Sequence, residues 1–97
     1  MGISPVTVDE YLALVYRLPV SKGVILQYIS SSGAAAQAGL KEMDIVTHYN
    51  GQEVTTAEDL IQRIRASKIG EEVMVTYIRG TETKTALVKL QGSNPPK

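Results

Sequence analysis

The apolar positions of the chain follow two periods. Across residues 7–18, TVDEYLALVYRL, apolar side chains recur at Tyr11, Leu14, Val15 and Leu18, the spacing that places all four on one face of a helix. Thr7 and Glu10 form a capping-box pattern at its start, and Pro19 stops it. The period then shortens. GVILQYIS, between Gly23 and the Ser30-Ser31-Ser32-Gly33 loop, is rich in β-branched residues and too short for a typical helix, which predicts a buried strand. In AAAQAGL three alanines favour a short helical turn, with Gly39 as its left-handed exit. DIVTHYNGQEV reads as strand, Asn50-Gly51 turn and short strand, because Asn-Gly suits a two-residue hairpin with positive φ at both positions.

A second long helix is predicted from about Thr56 to Ala66, capped by Thr56 and Asp59 or, one register earlier, by Thr55 and Glu58. Ala57, Leu60, Ile61 and Ile64 form an apolar stripe about 100° wide, and Glu58, Asp59, Gln62, Arg63 and Arg65 fill the rest of the wheel. Two strands, EEVMVTYIRG and TKTALVKLQ, follow around a turn at Gly80, and residues 92–97, GSNPPK, have the composition of a tail or linker. Five or six short strands with two helices predict an α+β domain in which helices cap a partly antiparallel sheet. No internal repeat interrupts it.

Composition narrows the function classes. The 97 residues suffice for one domain with its own core. Ten basic residues balance ten acidic ones, which argues against a nucleic-acid binder that relies on releasing counterions. There is no cysteine, so disulfides, thiolate metal sites and thiol nucleophiles are excluded. No apolar run reaches the roughly 20 residues that span a bilayer, and no charged-then-apolar signal segment opens the chain. The opening MGIS is not a myristoylation signal either, since Val6 stands where Ser or Thr is required.

Candidate chemistry is sparse. His48, the one histidine, sits in a predicted strand without a recognisable nucleophile and orienting carboxylate, and reads as a half-exposed strand residue. Of the acidic pairs Asp9-Glu10, Glu58-Asp59 and Glu71-Glu72, the first two fall in first helical turns, where negative charge suits the helix dipole. One histidine without cysteine has no metal-ligand spacing, and no Gly-rich phosphate loop is present. The five tyrosines are spread singly, as core-edge residues are.

The segment GAAAQAGLKEMDIVTHYNGQEVTTAEDL, about a third of the chain, resembles the centre of PDZ domains. Ala38-Gly39-Leu40, Met43-Asp44-Ile45-Val46 and Asn50-Gly51 stand in that family's order and spacing. A helix ending near LPV, then GVIL, then EDL opening the last helix, is similar to the bacterial form found in HtrA/Deg-type serine proteases. The resemblance covers nearly all of residues 1–91. It implies a circularly permuted PDZ-like fold, a five- to six-stranded, partly open antiparallel barrel or sandwich capped by two helices, with the C-terminal TKTALVKL supplying the strand that begins an animal PDZ domain.

The same resemblance implies a site and a partner. The binding loop comes first, as Met1-Gly2-Ile3-Ser4, whose N–H groups would form a nest for a ligand carboxylate. An extended peptide, C-terminal or unfolded and hydrophobic, would add to the edge of the first strand. The facing wall would be Ala57, Ile61 and Ile64, with Arg65 at the rim and Leu60 turned into the core. Ile3, Ile61 and Ile64 would cup the final side chain. The implied role is substrate capture or regulation in an extracytoplasmic HtrA-like protease, with a neighbouring protease domain, no catalytic residue in this segment and no cofactor. Other envelope proteases that gate access through a PDZ domain, and a structural subunit-docking domain, are alternatives. Three departures bear on the site. Ala57 replaces the histidine that in some PDZ domains binds a ligand hydroxyl, Pro5 falls where a main-chain donor is expected, and Met43 replaces a glycine before Asp44.

Overall fold

The computed structural model describes residues 3–31 and 33–90; Met1, Gly2 and the 92–97 segment read as a tail lie outside them. The elements are β1 (Ile3–Thr7), α1 (Glu10–Tyr16), β2 (Val24–Ile29), α2 (Ala34–Gln37), β3 (Ile45–Tyr49), β4 (Gln52–Glu53), α3 (Ala57–Ala66), β5 (Glu72–Arg79) and β6 (Glu82–Lys89). Among the described residues they form one six-stranded antiparallel sheet in the order β1-β2-β3-β5-β6, with β4 paired to β3. The expected PDZ-like arrangement is present, with the short α2 as a third helix.

The continuous apolar run of β2 has a simple cause. Val24 and Leu26 point into the main core, and Ile25 points the other way into a smaller cluster with Val8 and Ile45. A strand covered on both faces does not alternate. β5 does alternate, with Val73, Val75 and Tyr77 buried and Met74 exposed, because only one of its faces meets the core. The Asn50-Gly51 turn takes positive φ at both residues, 52° and 81°, as its sequence requires. Asn50 also accepts through Oδ1 from the Met74 N–H at 2.8 Å, which ties the turn to β5.

The first helix corrects the expectation drawn from periodicity. Thr7 is the last residue of β1, paired with Val24, so it cannot cap a helix. Asp9 takes that role and accepts from the Leu12 N–H at 2.8 Å. The helix ends before Pro19, at Arg17 in the left-handed region with φ 54°, where the Leu18 N–H reaches back to the Ala13 carbonyl. The stripe expected to face the core is outside, with Tyr11 72% and Leu14 80% exposed and Val15 exposed beside them. Val8 and Leu18, which flank the helix, take positions in the smaller cluster instead. Held at its two ends, the seven-residue helix leaves its own apolar face to solvent.

One buried charge organises the loop between α2 and β3. Asp44 is 1% exposed. Its carboxylate accepts from Arg79 Nε at 2.9 Å, from Arg79 Nη2 at 2.7 Å and from the Lys41 N–H at 2.8 Å. Arg79 also donates to the Gly39 carbonyl at 2.9 Å and lies over the Tyr77 ring, 5.3 Å from its centre. The loop is thereby fastened to β5. This grip explains how Met43 holds φ 74°, a left-handed conformation that costs a side-chain-bearing residue roughly 1–2 kcal/mol. The Met43 N–H is fixed in turn by the Leu26 carbonyl at 2.7 Å. Replacing Asp44 with Ala removes three charge-assisted hydrogen bonds, two of them from Arg79, and is expected to cost about 2–3 kcal/mol. For a domain of this size that lowers Tm by roughly 8–20 °C in a thermal melt followed by circular dichroism. An unchanged Tm would show that the carboxylate has no such anchoring role.

Candidate functional site

β1 lies at the rim of the sheet, so one row of its main-chain groups has no strand partner. The helix that packs beside it is α3. The direction of the free groups follows from one bond. The Val8 N–H donates to the Gly23 carbonyl, toward β2, and amides alternate in direction along a strand. The amide positions of Thr7 and Pro5 therefore face the open edge. Pro5 has no N–H to offer there. The β1–β2 register also shifts between Ser4, opposite Tyr28, and Pro5, opposite Leu26. A bulge at an edge is where a strand tolerates proline.

The facing helix is built for this position by its own sequence. Thr56 caps it and accepts from the Asp59 N–H at 3.0 Å, which selects the later of the two capping frames. Glu58 and Asp59 occupy the first turn and Arg63 and Arg65 the last, each complementing the helix dipole. Asp59 pairs with Arg63 one turn on at 3.1 Å, and Arg63 also reaches the Gln52 side chain. Leu60 is fully buried and anchors the helix, as expected from its place in the stripe.

Both ends of α3 are tied down. At its C-terminal end Ser67 donates from Oγ to the Arg63 carbonyl at 2.9 Å, and the same Oγ shares a 2.7 Å hydrogen bond with the Tyr49 hydroxyl. Burial pushes the Tyr49 hydroxyl above its ordinary pKa, outweighing the opposite pull of the Ser67 bond. At the N-terminal end the Ala57 N–H donates to Thr7 Oγ1 at 2.9 Å, a bond that runs directly from helix to edge strand. Nothing local in the sequence singles out Ser67, and nothing local links Thr7 to α3. Thr7 fitted a helix-capping pattern, and what reveals its true partner is a contact 50 residues away.

The site residues expected from sequence fall as follows. Ile3, Ala57 and Ile64 are half-buried and pack against the rim of the main core. Ile61 is half-buried on the same helix, while Ser4 and Arg65 are exposed. Met1 and Gly2 lie outside the described residues. His48 is half-buried in β3, with Nδ1 3.0 Å from Thr47 Oγ1. Both residues line a surface depression of about 570 Å³ with Val20, Lys22, Glu53 and Ile78, which includes no residue of β1 or α3. Among the described residues no group of His, Asp and Glu converges as a metal site would.

Comparison with known proteins places this geometry. The family model described as PDZ domain matches residues 1–90. A probable periplasmic serine protease do/HhoA-like of Haemophilus influenzae is 28% identical over 94 residues, which are 97% of this chain and 20% of that protein. Among solved structures, the HtrA-type protease AlgW with decapeptide superposes with a TM-score of 0.88 at 18% identity, covering 98% of this chain and 29% of that one. The HtrA3 PDZ domain bound to a phage-derived ligand, FGRWV, superposes with a TM-score of 0.79 at 19% identity, covering 92% of this chain and 81% of that one. The chain spans about a fifth of the length of the curated relatives it matches. It belongs to the PDZ domain family, in the form carried by HtrA-type serine proteases.

Proposed function

We propose that these residues form the peptide-binding module of an HtrA-like serine protease, capturing C-terminal or extended hydrophobic segments by strand addition to β1. The observation that carries this reading is the open edge of β1 standing beside the apolar flank of α3. The HtrA3 PDZ ligand ends in Trp-Val, an apolar terminus of the same chemical kind. In the proposed mode the ligand runs antiparallel to β1, and its carboxylate meets main-chain N–H groups of Met1, Gly2 and Ile3, at and before the start of that strand; Ser4, expected in the same loop, is a β1 residue paired with Tyr28. Its final side chain enters the space between Ile3, Ile61 and Ile64. Burying one Leu- or Val-sized side chain there contributes about 1.5–3 kcal/mol, enough to dominate selection at that position. Arg65, at the rim, favours acidic termini.

Ala57 offers a methyl group where a hydroxyl-binding side chain would stand, so the third residue from the ligand's end is selected for apolar character. The module itself is non-catalytic, and cleavage belongs to a protease domain elsewhere in the whole protein. The periplasmic relative supports an extracytoplasmic setting. No helix among the described residues is long and apolar enough to cross a membrane. The exposed face of α1 favours a second reading, in which the domain docks neighbouring subunits and binds no peptide.

Two outcomes distinguish these readings. In an NMR titration, an aliphatic C-terminal peptide is expected to shift resonances of residues 1–7 and 57–65 as the free acid and to lose at least tenfold in affinity as the amide; no shift with either peptide would favour docking, and equal binding of both would exclude recognition of the carboxylate. Pro5→Ala restores one main-chain donor and is expected to tighten binding about three- to tenfold, the worth of one hydrogen bond. Calorimetry showing unchanged affinity would exclude a role for the missing donor.

A further inference from the structure

We propose that the Thr7–Ala57 hydrogen bond is a stop that closes the groove and sets the length of ligand it accepts at about three residues. The inference rests on the strand-addition reading and adds the limit on ligand length. Thr7 is paired with Val24 and Pro5 with Leu26, so both project on the face of the sheet that carries the main core, where α3 lies. The bond from the Ala57 N–H to Thr7 Oγ1, at 2.9 Å, spans strand and helix at the end of β1 and the first residue of α3. A ligand strand has to lie about 4.8 Å from β1 to pair with it. No such strand fits where the two walls are joined by a hydrogen bond.

The distance available on the open side follows from element geometry. From Ile64, beside the final ligand side chain, to Ala57 the helix advances seven residues, roughly 10 Å at 1.5 Å per residue. An extended ligand advances about 3.3 Å per residue and covers that distance in about three. A fourth residue has to rise out of the groove or break the bond. The Ala57 N–H is one of the helix's first amides, which no intrahelical carbonyl can satisfy, and Thr56 Oγ1 is already engaged with Asp59. Thr7 therefore answers a need of the helix while it closes the groove.

The test uses Thr7→Val, which keeps the side-chain shape and removes the acceptor. In the parent domain, a tripeptide acid and a hexapeptide acid with the same last three residues should bind within about twofold of each other by calorimetry. In Thr7→Val the hexapeptide should gain at least fivefold over the tripeptide. Ala57→Pro removes the donor from the other side, at a first-helical position that suits proline and after a residue, Thr56, already extended at φ −132° and ψ 153°. It should relax the ratio in the same way and serves if the first variant does not fold. Amide exchange of the free protein checks the bond itself, with Ala57 protected in the parent and exchanging at least tenfold faster in Thr7→Val. A parent domain that already prefers the hexapeptide fivefold, or variants that leave the ratio near one, would overturn the stop while leaving strand addition intact. Absence of binding by either peptide to any of the proteins would overturn both.

Discussion

A strand at the rim of a sheet carries a row of main-chain groups that the sheet cannot satisfy, and a protein must cover them, disrupt them or use them. In this domain β1 holds that position, and the treatment of its edge organises the rest. The edge is interrupted at the middle by Pro5 and a register shift, and bound at its end through Thr7 to α3. Between the start of β1 and Thr7 it is flanked by α3 without being covered by another strand. A proline and a register shift of this kind blunt an edge against indiscriminate pairing.

Such an edge is useful only if the helix beside it holds its distance. Three contacts fix α3: Leu60 buried in the core, Thr7 at the first turn and the Tyr49–Ser67–Arg63 chain at the last. The half-buried apolar positions of the helix, Ala57, Ile61 and Ile64, are all small or aliphatic. On the far side of the sheet, Asp44 and Arg79 fasten the loop between α2 and β3 to β5, and that loop holds β2 through the bond from Met43 to Leu26. β2 is the strand on which β1 is laid. The edge strand is thus supported, through β2, by a buried carboxylate and its half-exposed arginine partner several residues removed from it.

Local sequence carried the features whose causes are local. The capping of α3 by Thr56, its apolar stripe, the Asn50-Gly51 turn and the strand at β5 each depend on residues within a few positions of one another. All were legible. The stripe of α1 was equally clear as a period, but a period says which residues share a face and not what that face meets. Val8, buried, and Leu18, half-buried, took the cluster positions on either side, and Tyr11, Leu14 and Val15 were left outside. Thr7 illustrates the same limit. Four residues of capping-box pattern competed with a strand pairing to Val24, and the strand prevailed because Val8 continues it with a further main-chain bond to Gly23. Ile3, Ala57 and Ile64 are all half-buried against the main core; periodicity accounts for the helical pair, and nothing local in the sequence ties Ile3 to them.

In the proposed mode of binding, ligand backbone joins the open edge of β1 while its last side chain settles against α3. The most direct measurement is an isotope-filtered NOE spectrum of the labelled domain with an unlabelled aliphatic peptide acid. Strand addition in this mode requires strand-type cross-peaks between ligand backbone protons and β1 in antiparallel order, together with contacts from the last side chain to the methyl groups of Ile3, Ile61 and Ile64. Cross-peaks confined to Tyr11, Leu14 and Val15, or a ligand running parallel to β1, would contradict it.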